Sequence, residues 1–257
     1  SARRAFEMFL DGSPFSFEEL TPEVLDRFVT FLRERGNRPN TVSFYLRQWR
    51  AIYNRACADH LVYTDQKPFR RLNLKEEVTA KRAISREKIA RIEQVDLTAS
   101  RADMQLARDL FLFSFYTRGM SFIDMAQLTP SNLHGSTLIY RRQKTSQQLH
   151  IKWEPAMQEI VAKYKTDDSP YLLPIAKGEG AIFWRQYKNA YSRITKQLKK
   201  IGEMIGLSVP LTTYVARHSW ASIAKSKNVP VSTISEALGH DSEKTTQIYL
   251  SSLDTSV

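Results

Sequence analysis

Tyr249 stands nine residues beyond His240 of Leu238-Gly239-His240, and upstream of both lies Thr213-Tyr214-Val215-Ala216-Arg217-His218-Ser219-Trp220. A phenol, a guanidinium and imidazoles drawn from one 45-residue stretch are the groups needed for nucleophilic attack on phosphorus without a metal. In such a reaction negative charge grows on the non-bridging oxygens, and fixed cations must hold it. Arginine does this through two parallel N–H bonds and keeps its proton. Arg217 is the strongest candidate for that clamp, with a structural ion pair as its alternative. Tyr249 supplies a phenol whose ordinary pKa, about 10, makes it a poor nucleophile unless cations stabilise the developing phenolate. A phosphotyrosyl link would in turn conserve bond energy, so that a strand could be rejoined without ATP. Taken alone, Tyr249 between Ile248 and Leu250 reads as core packing on an apolar helix.

The rest of the chain bounds what this chemistry could act on. Its 257 residues suffice for one large or two ordinary domains, and the 42% apolar fraction is that of a globular protein. Lys and Arg outnumber Asp and Glu by 38 to 27, a formal +11, which draws a protein to polyanions, nucleic acid before an anionic membrane surface. Cys57 is the single cysteine, which excludes an internal disulfide and a cysteine-based zinc site, and the five histidines form no HExxH pair. The chemistry expected is metal-free, with no cofactor. No apolar run approaches the roughly 20 residues that span a bilayer, and no signal peptide follows Arg3-Arg4. The expectation is a soluble, cytoplasmic (bacterial) protein.

The elements that must position these groups read as mainly α with a small antiparallel β-sheet, in two lobes. Residues 1 to about 73 read as helical. Thr21-Pro22-Glu23 opens one helix, carried by Leu25, Phe28, Val29 and Leu32. Pro39-Asn40 opens a second, with Val42, Tyr45, Leu46, Trp49, Ile52, Tyr53 and Ala56 as its apolar face. Between Arg33 and Arg55 six arginines meet a single acid, Glu34. Of these, Arg33, Arg38, Arg47 and Arg50 are the candidate DNA-binding residues, because a helix pair so charged on one side suits phosphates; a solvated face is the alternative. The stretch 67–83 has weak periodicity and many charges and reads as a linker, giving domains 1–75 and 84–257 with 76–83 between them. Beyond it, Ser85 caps a short helix through about Val95, and Ala102–Tyr116 is a core helix. Strands at Thr137–Arg141 and Leu149–Trp153 flank a polar turn, as in a hairpin. Helices follow at Pro155–Tyr164, Phe183–Ile205, Tyr214–Ser226, Val231–Leu238 and Glu243–Leu250.

The block Arg217-His218, then Leu238-Gly239-His240, then Tyr249 at a nine-residue interval resembles the tyrosine recombinase (phage integrase) family, in particular conjugative-transposon integrases. The resemblance extends to Lys144-Thr145 in the hairpin and to the helix around Arg118. It also reaches the N-terminal lobe, which looks like a SAM-like core-binding domain, so that it covers nearly the whole chain. It implies a catalytic domain of the DNA breaking-rejoining fold and a site-specific recombinase or integrase that exchanges strands of a mobile element through a 3′-phosphotyrosyl intermediate. The motif interval turns the reading of Tyr249 from packing to nucleophile. It implies that His240 donates to the phosphate and that Lys144 protonates the departing 5′ oxygen, which a flexible ammonium can do more readily than a guanidinium.

Two positions depart from the family pattern. Tyr214 stands where the family has a histidine; a phenol can donate to a phosphate oxygen but is a poorer base than imidazole. Gly119-Met120-Ser121-Phe122-Ile123-Asp124-Met125 stands where the family has Gly-x-Arg-x-x-Glu-Leu, which puts Ser121 at the arginine position. Arg118 is expected to fill that vacancy, with Ser121 bonding the phosphate as the alternative. His218 follows Arg217 directly, and adjacent helical positions face different ways, so a supporting or structural role is expected for it. The resemblance further implies double-stranded DNA as partner, a tetramer on DNA and a monomer when free, and an accessory DNA-bending protein. The chain reads as a trimmed piece, short of an N-terminal arm-binding domain and a C-terminal protomer-exchange segment. Two rivals remain open: a non-catalytic DNA-binding regulator, since Val229–Ile248 passes for a helix-turn-helix, and a type IB topoisomerase.

Overall fold

Hydroxyl caps and first-turn prolines fix where the helices start. In the computed structural model Ser1 accepts from the Arg4 N–H at 3.4 Å, Thr21 from Val24 at 3.3 Å and Ser85 from Lys88 at 3.4 Å. Pro22, Pro39 and Pro155 each open a helix, where a missing N–H costs nothing. The structure describes residues 1–62, 67–72, 77, 83–98 and 100–251. The chain divides into two units, Ser1–Thr79 and Ala80–Val257. Of the expected linker, residues 76 and 78–82 lie outside the described residues, as do 252–257 at the end.

In the first unit α1 (Ala2–Leu10), α2 (Pro22–Glu34) and α3 (Pro39–Ala58) enclose Phe6, Leu20, Leu25, Phe28, Leu32, Leu46 and Tyr53. The Phe6 ring lies edge-on to Phe28 at 4.9 Å and against Trp49 at 4.4 Å. Ile52 departs from the expected apolar face of α3: it is 45% exposed, because two short helices cover only one stripe of a 20-residue partner. Glu77 is tied to α3 by both its backbone groups, its N–H to Asn40 Oδ1 at 2.7 Å and its carbonyl from Asn40 Nδ2 at 2.9 Å.

The second unit is built around α5 (Ala102–Tyr116), which is apolar on all sides and packs on α7 (Pro155–Tyr164), α8 (Gly180–Met204) and α9 (Thr213–Ser226). α8 begins before the expected Phe183, since its first turn contributes nothing to the buried stripe and Ile182 is 52% exposed. The short helices α4 (Arg86–Gln94), α6 (Phe122–Ala126), α10 (Val231–Leu238) and α11 (Glu243–Ser251) complete the helical part. The sheet has three antiparallel strands in the order β1 (Leu133–His134), β2 (Thr137–Arg141), β3 (Gln148–Lys152). In the β2–β3 register Leu138 faces Ile151 and Tyr140 faces Leu149, all four buried. The two-residue β1 is too short to leave a period-two signal in the sequence. Among the described residues no helix is long and apolar enough to cross a membrane.

Candidate active site

Arg217 lies on the buried side of α9, only 4% exposed. Its Nη1 donates to the Gly119 carbonyl at 3.1 Å, and its Nη2 donates to the Leu238 carbonyl at 2.5 Å and to His240 Nε2 at 3.1 Å. These three acceptors hold the guanidinium plane at the meeting point of the α5–α6 turn and the end of α10. The turn requires its glycine. Gly119 has φ +82°, and a Cβ there would lie 2.5 Å from both the Cα and the Cβ of Arg217. Arg118, just before it, also adopts a left-handed conformation, φ 60°, and is half-buried.

The β2–β3 hairpin brings a second arginine to the same place. Arg142 is 5% exposed, and its Nη1 donates to the Gly239 carbonyl at 2.6 Å. Its own backbone closes the hairpin loop, the Arg142 N–H donating to the Gln147 carbonyl at 2.8 Å, and Lys144 is exposed at the loop's tip. The loop is moored to α6 through the buried Asp124, whose Oδ1 accepts the Gln143 N–H at 2.9 Å. The other oxygen of Asp124 accepts from Ser121 Oγ at 2.6 Å, and Ser121 caps α6. Ser121 is therefore committed to a cap and a carboxylate, away from the role of phosphate ligand that strict alignment offered it.

The turn from α10 to α11 supplies the rest. Gly239 ends α10 in the left-handed region, φ 60°, and its carbonyl also accepts from Thr145 Oγ1 at 3.1 Å. His240 Nδ1 lies 2.7 Å from Thr246 Oγ1, which donates onward to Ser235 Oγ at 2.9 Å. A guanidinium can only donate, so the network assigns His240 Nε2 as acceptor from Arg217 and Nδ1–H as donor to Thr246. Burial, then Arg217, Arg142 and Lys144, pull the His240 pKa from 6.5 down to about 4. In this geometry His240 supports Arg217 through Nε2.

Tyr249 is half-buried on α11, beside Leu250, while Ile248 is 64% exposed rather than part of an apolar face. The Tyr249 hydroxyl lies 2.5 Å from His218 Nδ1, with the two rings stacked at 5.3 Å. Burial pushes the Tyr249 phenol up; Arg217 and Arg142 pull against it, and Tyr214 adds to the rise. Tyr214 is 49% exposed, its ring 5.3 Å from that of His218.

The candidates from distant stretches thus meet. Arg217, His240, Tyr214 and Tyr249 surround one another, and the Lys144 charge acts on His240. Arg118 acts on Tyr140, whose phenol is raised by burial and Asp124 and lowered by Arg217, Arg142 and Arg118. The charge of Arg142 acts on Tyr249, His240 and Arg217, and with those of Arg217 and Arg118 on Tyr140. Spacing missed Arg142 because an arginine at a strand end has no period that predicts burial; its place two residues before Lys144 was the only signal. Spacing likewise set His218 apart, although the structure puts its ring on that of Tyr249. Among the described residues neither Arg142 nor Arg217 pairs with a carboxylate. Two guanidiniums are buried side by side with carbonyl and imidazole partners only, and each adds to the cost of the other. That cost is relieved when an anion arrives. In the first unit Arg33, Arg38 and Arg50 are exposed and Arg47 is half-buried.

Comparison with known proteins bears on the family and the fold. The model of the phage integrase family matches residues 87–256, and that of the phage integrase SAM-like domain matches residues 1–76. Tyrosine recombinase XerD of Listeria innocua serovar 6a is 24% identical over 240 residues, covering 89% of this chain and 78% of the relative. Tyrosine recombinase XerA of Thermococcus onnurineus is 25% identical over 269 residues, covering 90% and 91%. A lambda integrase dimer bound to a COC′ core site superposes with a TM-score of 0.70 at 14% identity, over 97% of this chain and 86% of that one. The integrase of transposon Tn1549, bound to a circular intermediate DNA, gives 0.64 at 14% identity, over 96% and 87%. With both lobes matched by their family models and its cations gathered around a tyrosine, the chain belongs to the phage integrase family.

Proposed function

We propose that the protein is a site-specific recombinase that breaks and rejoins double-stranded DNA through a 3′-phosphotyrosyl link to Tyr249. The observation that carries this reading is the pair of buried arginines, Arg142 and Arg217, both without a carboxylate partner among the described residues and both acting on the Tyr249 phenol. Such a pair favours a phosphate, and more so the transition state, in which the non-bridging oxygens carry growing charge. In this account Tyr249 attacks phosphorus, Arg217 and Arg142 hold the non-bridging oxygens, and His240 keeps Arg217 in plane. Lys144, at the tip of a loop anchored at its base, protonates the 5′ oxygen as it leaves. Tyr214 donates to the phosphate from the exposed side. Arg118 is the alternative second clamp. Arg33, Arg38, Arg47 and Arg50 track phosphates along the duplex.

The relatives point the same way: the lambda and Tn1549 integrases were captured on DNA, and a lambda integrase tetramer was captured on a Holliday junction. Strand exchange needs four active sites on two duplexes, so this chain acts as a tetramer on DNA and is a monomer when free. An accessory DNA-bending protein assists it, it works in the bacterial cytoplasm, and it moves a mobile element.

The test is a nicked suicide duplex carrying the recognised site, from which the short downstream piece diffuses away after cleavage. The wild type accumulates a covalent adduct on the 3′ phosphate, and Tyr249→Phe forms none while binding DNA equally well. A DNA-binding regulator would give no adduct in either case, and relaxation of plasmids lacking the site would indicate a topoisomerase.

A further inference from the structure

We propose that His218 is the proton acceptor for Tyr249, in place of the histidine that Tyr214 replaces; the inference rests on the strand-cleaving reading above. As the Tyr249 oxygen bonds to phosphorus, its proton passes to His218 Nδ1. The bond from phosphorus to the 5′ oxygen then breaks, and that oxygen takes its proton from Lys144. In rejoining, a 5′ hydroxyl attacks and gives its proton back to Lys144, the phosphotyrosyl bond breaks, and the imidazolium returns its proton to the phenol.

Four observations carry this. His218 Nδ1 is 2.5 Å from the Tyr249 hydroxyl. His218 is one helical turn beyond Tyr214 on α9, so the two share a stripe, and their rings touch at 5.3 Å. Tyr214 cannot serve in its place, since a phenol is a weak acceptor at neutral pH. His240 cannot serve either, because its Nε2 accepts from Arg217 and its Nδ1 is turned to Thr246. A proton on His240 would also sit among Arg217, Arg142 and Lys144, which with burial hold its pKa to about 4. Meanwhile burial raises the Tyr249 phenol, so it does not ionise unaided near neutrality. Among the described residues, besides His240, whose ring stands edge-on to Tyr249 at 5.5 Å, the groups that face the His218–Tyr249 pair include Tyr214 from α9 itself, Arg217 from the neighbouring position and Arg142 from the hairpin. Arg217 and Arg142 stabilise a phenolate and Tyr214 works against it; being guanidinium and phenol, none of the three takes up its proton.

The experiment is single-turnover cleavage of the nicked suicide duplex by the whole chain carrying His218→Asn or His218→Ala. Asparagine sets an amide oxygen where Nδ1 stands, so it keeps the hydrogen bond but cannot hold the proton. Both variants are expected to cleave about 100-fold more slowly or worse, with DNA affinity and melting temperature unchanged. Added imidazole should restore the alanine variant in proportion to its concentration. Asparagine cleaving at the wild-type rate, or an alanine variant of native stability that imidazole does not restore, overturns the proposal. Should both variants unfold, the wild-type pH profile decides: the cleavage rate falls on acidification through the imidazole range if His218 accepts the proton, and a flat profile overturns it. If the wild type forms no Tyr249-dependent adduct, the reaction itself is misread and the inference falls with it. An adduct formed equally by wild type and the asparagine variant removes His218 alone.

Discussion

The two arginines that bury their charges beside Tyr249 come from opposite kinds of sequence evidence. Arg217 sits in a motif, whereas Arg142 follows a strand and is marked only by its place two residues before Lys144. Removing either arginine should slow cleavage by about 100- to 1,000-fold, while Arg118→Ala should cleave nearly as fast as wild type, because Arg118 is only half-buried and Arg142 already stands buried beside Arg217. Rates of adduct formation in the three alanine variants check this; a larger loss at Arg118 than at Arg142 would return the role to Arg118. Gly119 makes a sharper test of geometry. An alanine there meets the Arg217 backbone at 2.5 Å from a left-handed conformation. Gly119→Ala should therefore cost roughly 2 kcal/mol or more in thermal unfolding and abolish cleavage, though it deletes no chemical group.

At the scale of elements, the hairpin in the proposed reaction connects recognition of the phosphate to departure of the leaving group. Asp124 ties the loop base to α6 through Gln143, and Arg142 and Thr145 both end on the Gly239 carbonyl. Asp124→Ala leaves the Gln143 N–H and Ser121 hydroxyl without their acceptor, at a cost of about 1–3 kcal/mol. It should slow cleavage without weakening DNA binding, as a filter-binding titration run beside the cleavage assay would show. Lys144 at the loop tip is exposed. Lys144→Ala should cleave slowly on an ordinary duplex and recover when the 5′ bridging oxygen is replaced by sulfur, since a thiolate leaves without a proton. Lack of recovery would assign Lys144 to binding instead.

Over the whole second unit, the core helix α5 carries one buried carboxylate, Asp109, held by Lys163 Nζ and Tyr164 Oη at 2.7 Å and Arg108 Nε at 2.8 Å. Burial alone would raise its pKa, but these three donors overcome that and hold it below the ordinary 3.8. A carboxyl so depressed contributes its full stability above the unfolded value, and loses it as the pH falls through the lower folded value. Melting followed by circular dichroism should therefore show stability dropping below about pH 4. Asp109→Asn should be less stable near neutrality but lack that acid dependence; an unchanged acid limb would place the sensitivity elsewhere.

By itself the sequence determined the two-lobed, mainly helical architecture and the hairpin, and it singled out Tyr249 and Arg217 as site candidates. Those signals are local: a cap at Thr21, a periodic stripe from Leu25 to Leu32, and motifs at fixed intervals around Arg217, His240 and Tyr249. Only the tertiary structure decided that Arg142 is buried against Arg217, that Ser121 is occupied by Asp124, and that His218 meets the Tyr249 hydroxyl. The reason is physical. Periodicity tells which side of a helix or strand faces the core, but a site assembled from a strand end, a turn and two helices depends on where those elements cross. The α11 helix folds back over α9 so that positions 217 and 218, about 100° apart around the helix axis, both reach the tyrosine. No spacing along the chain encodes that return.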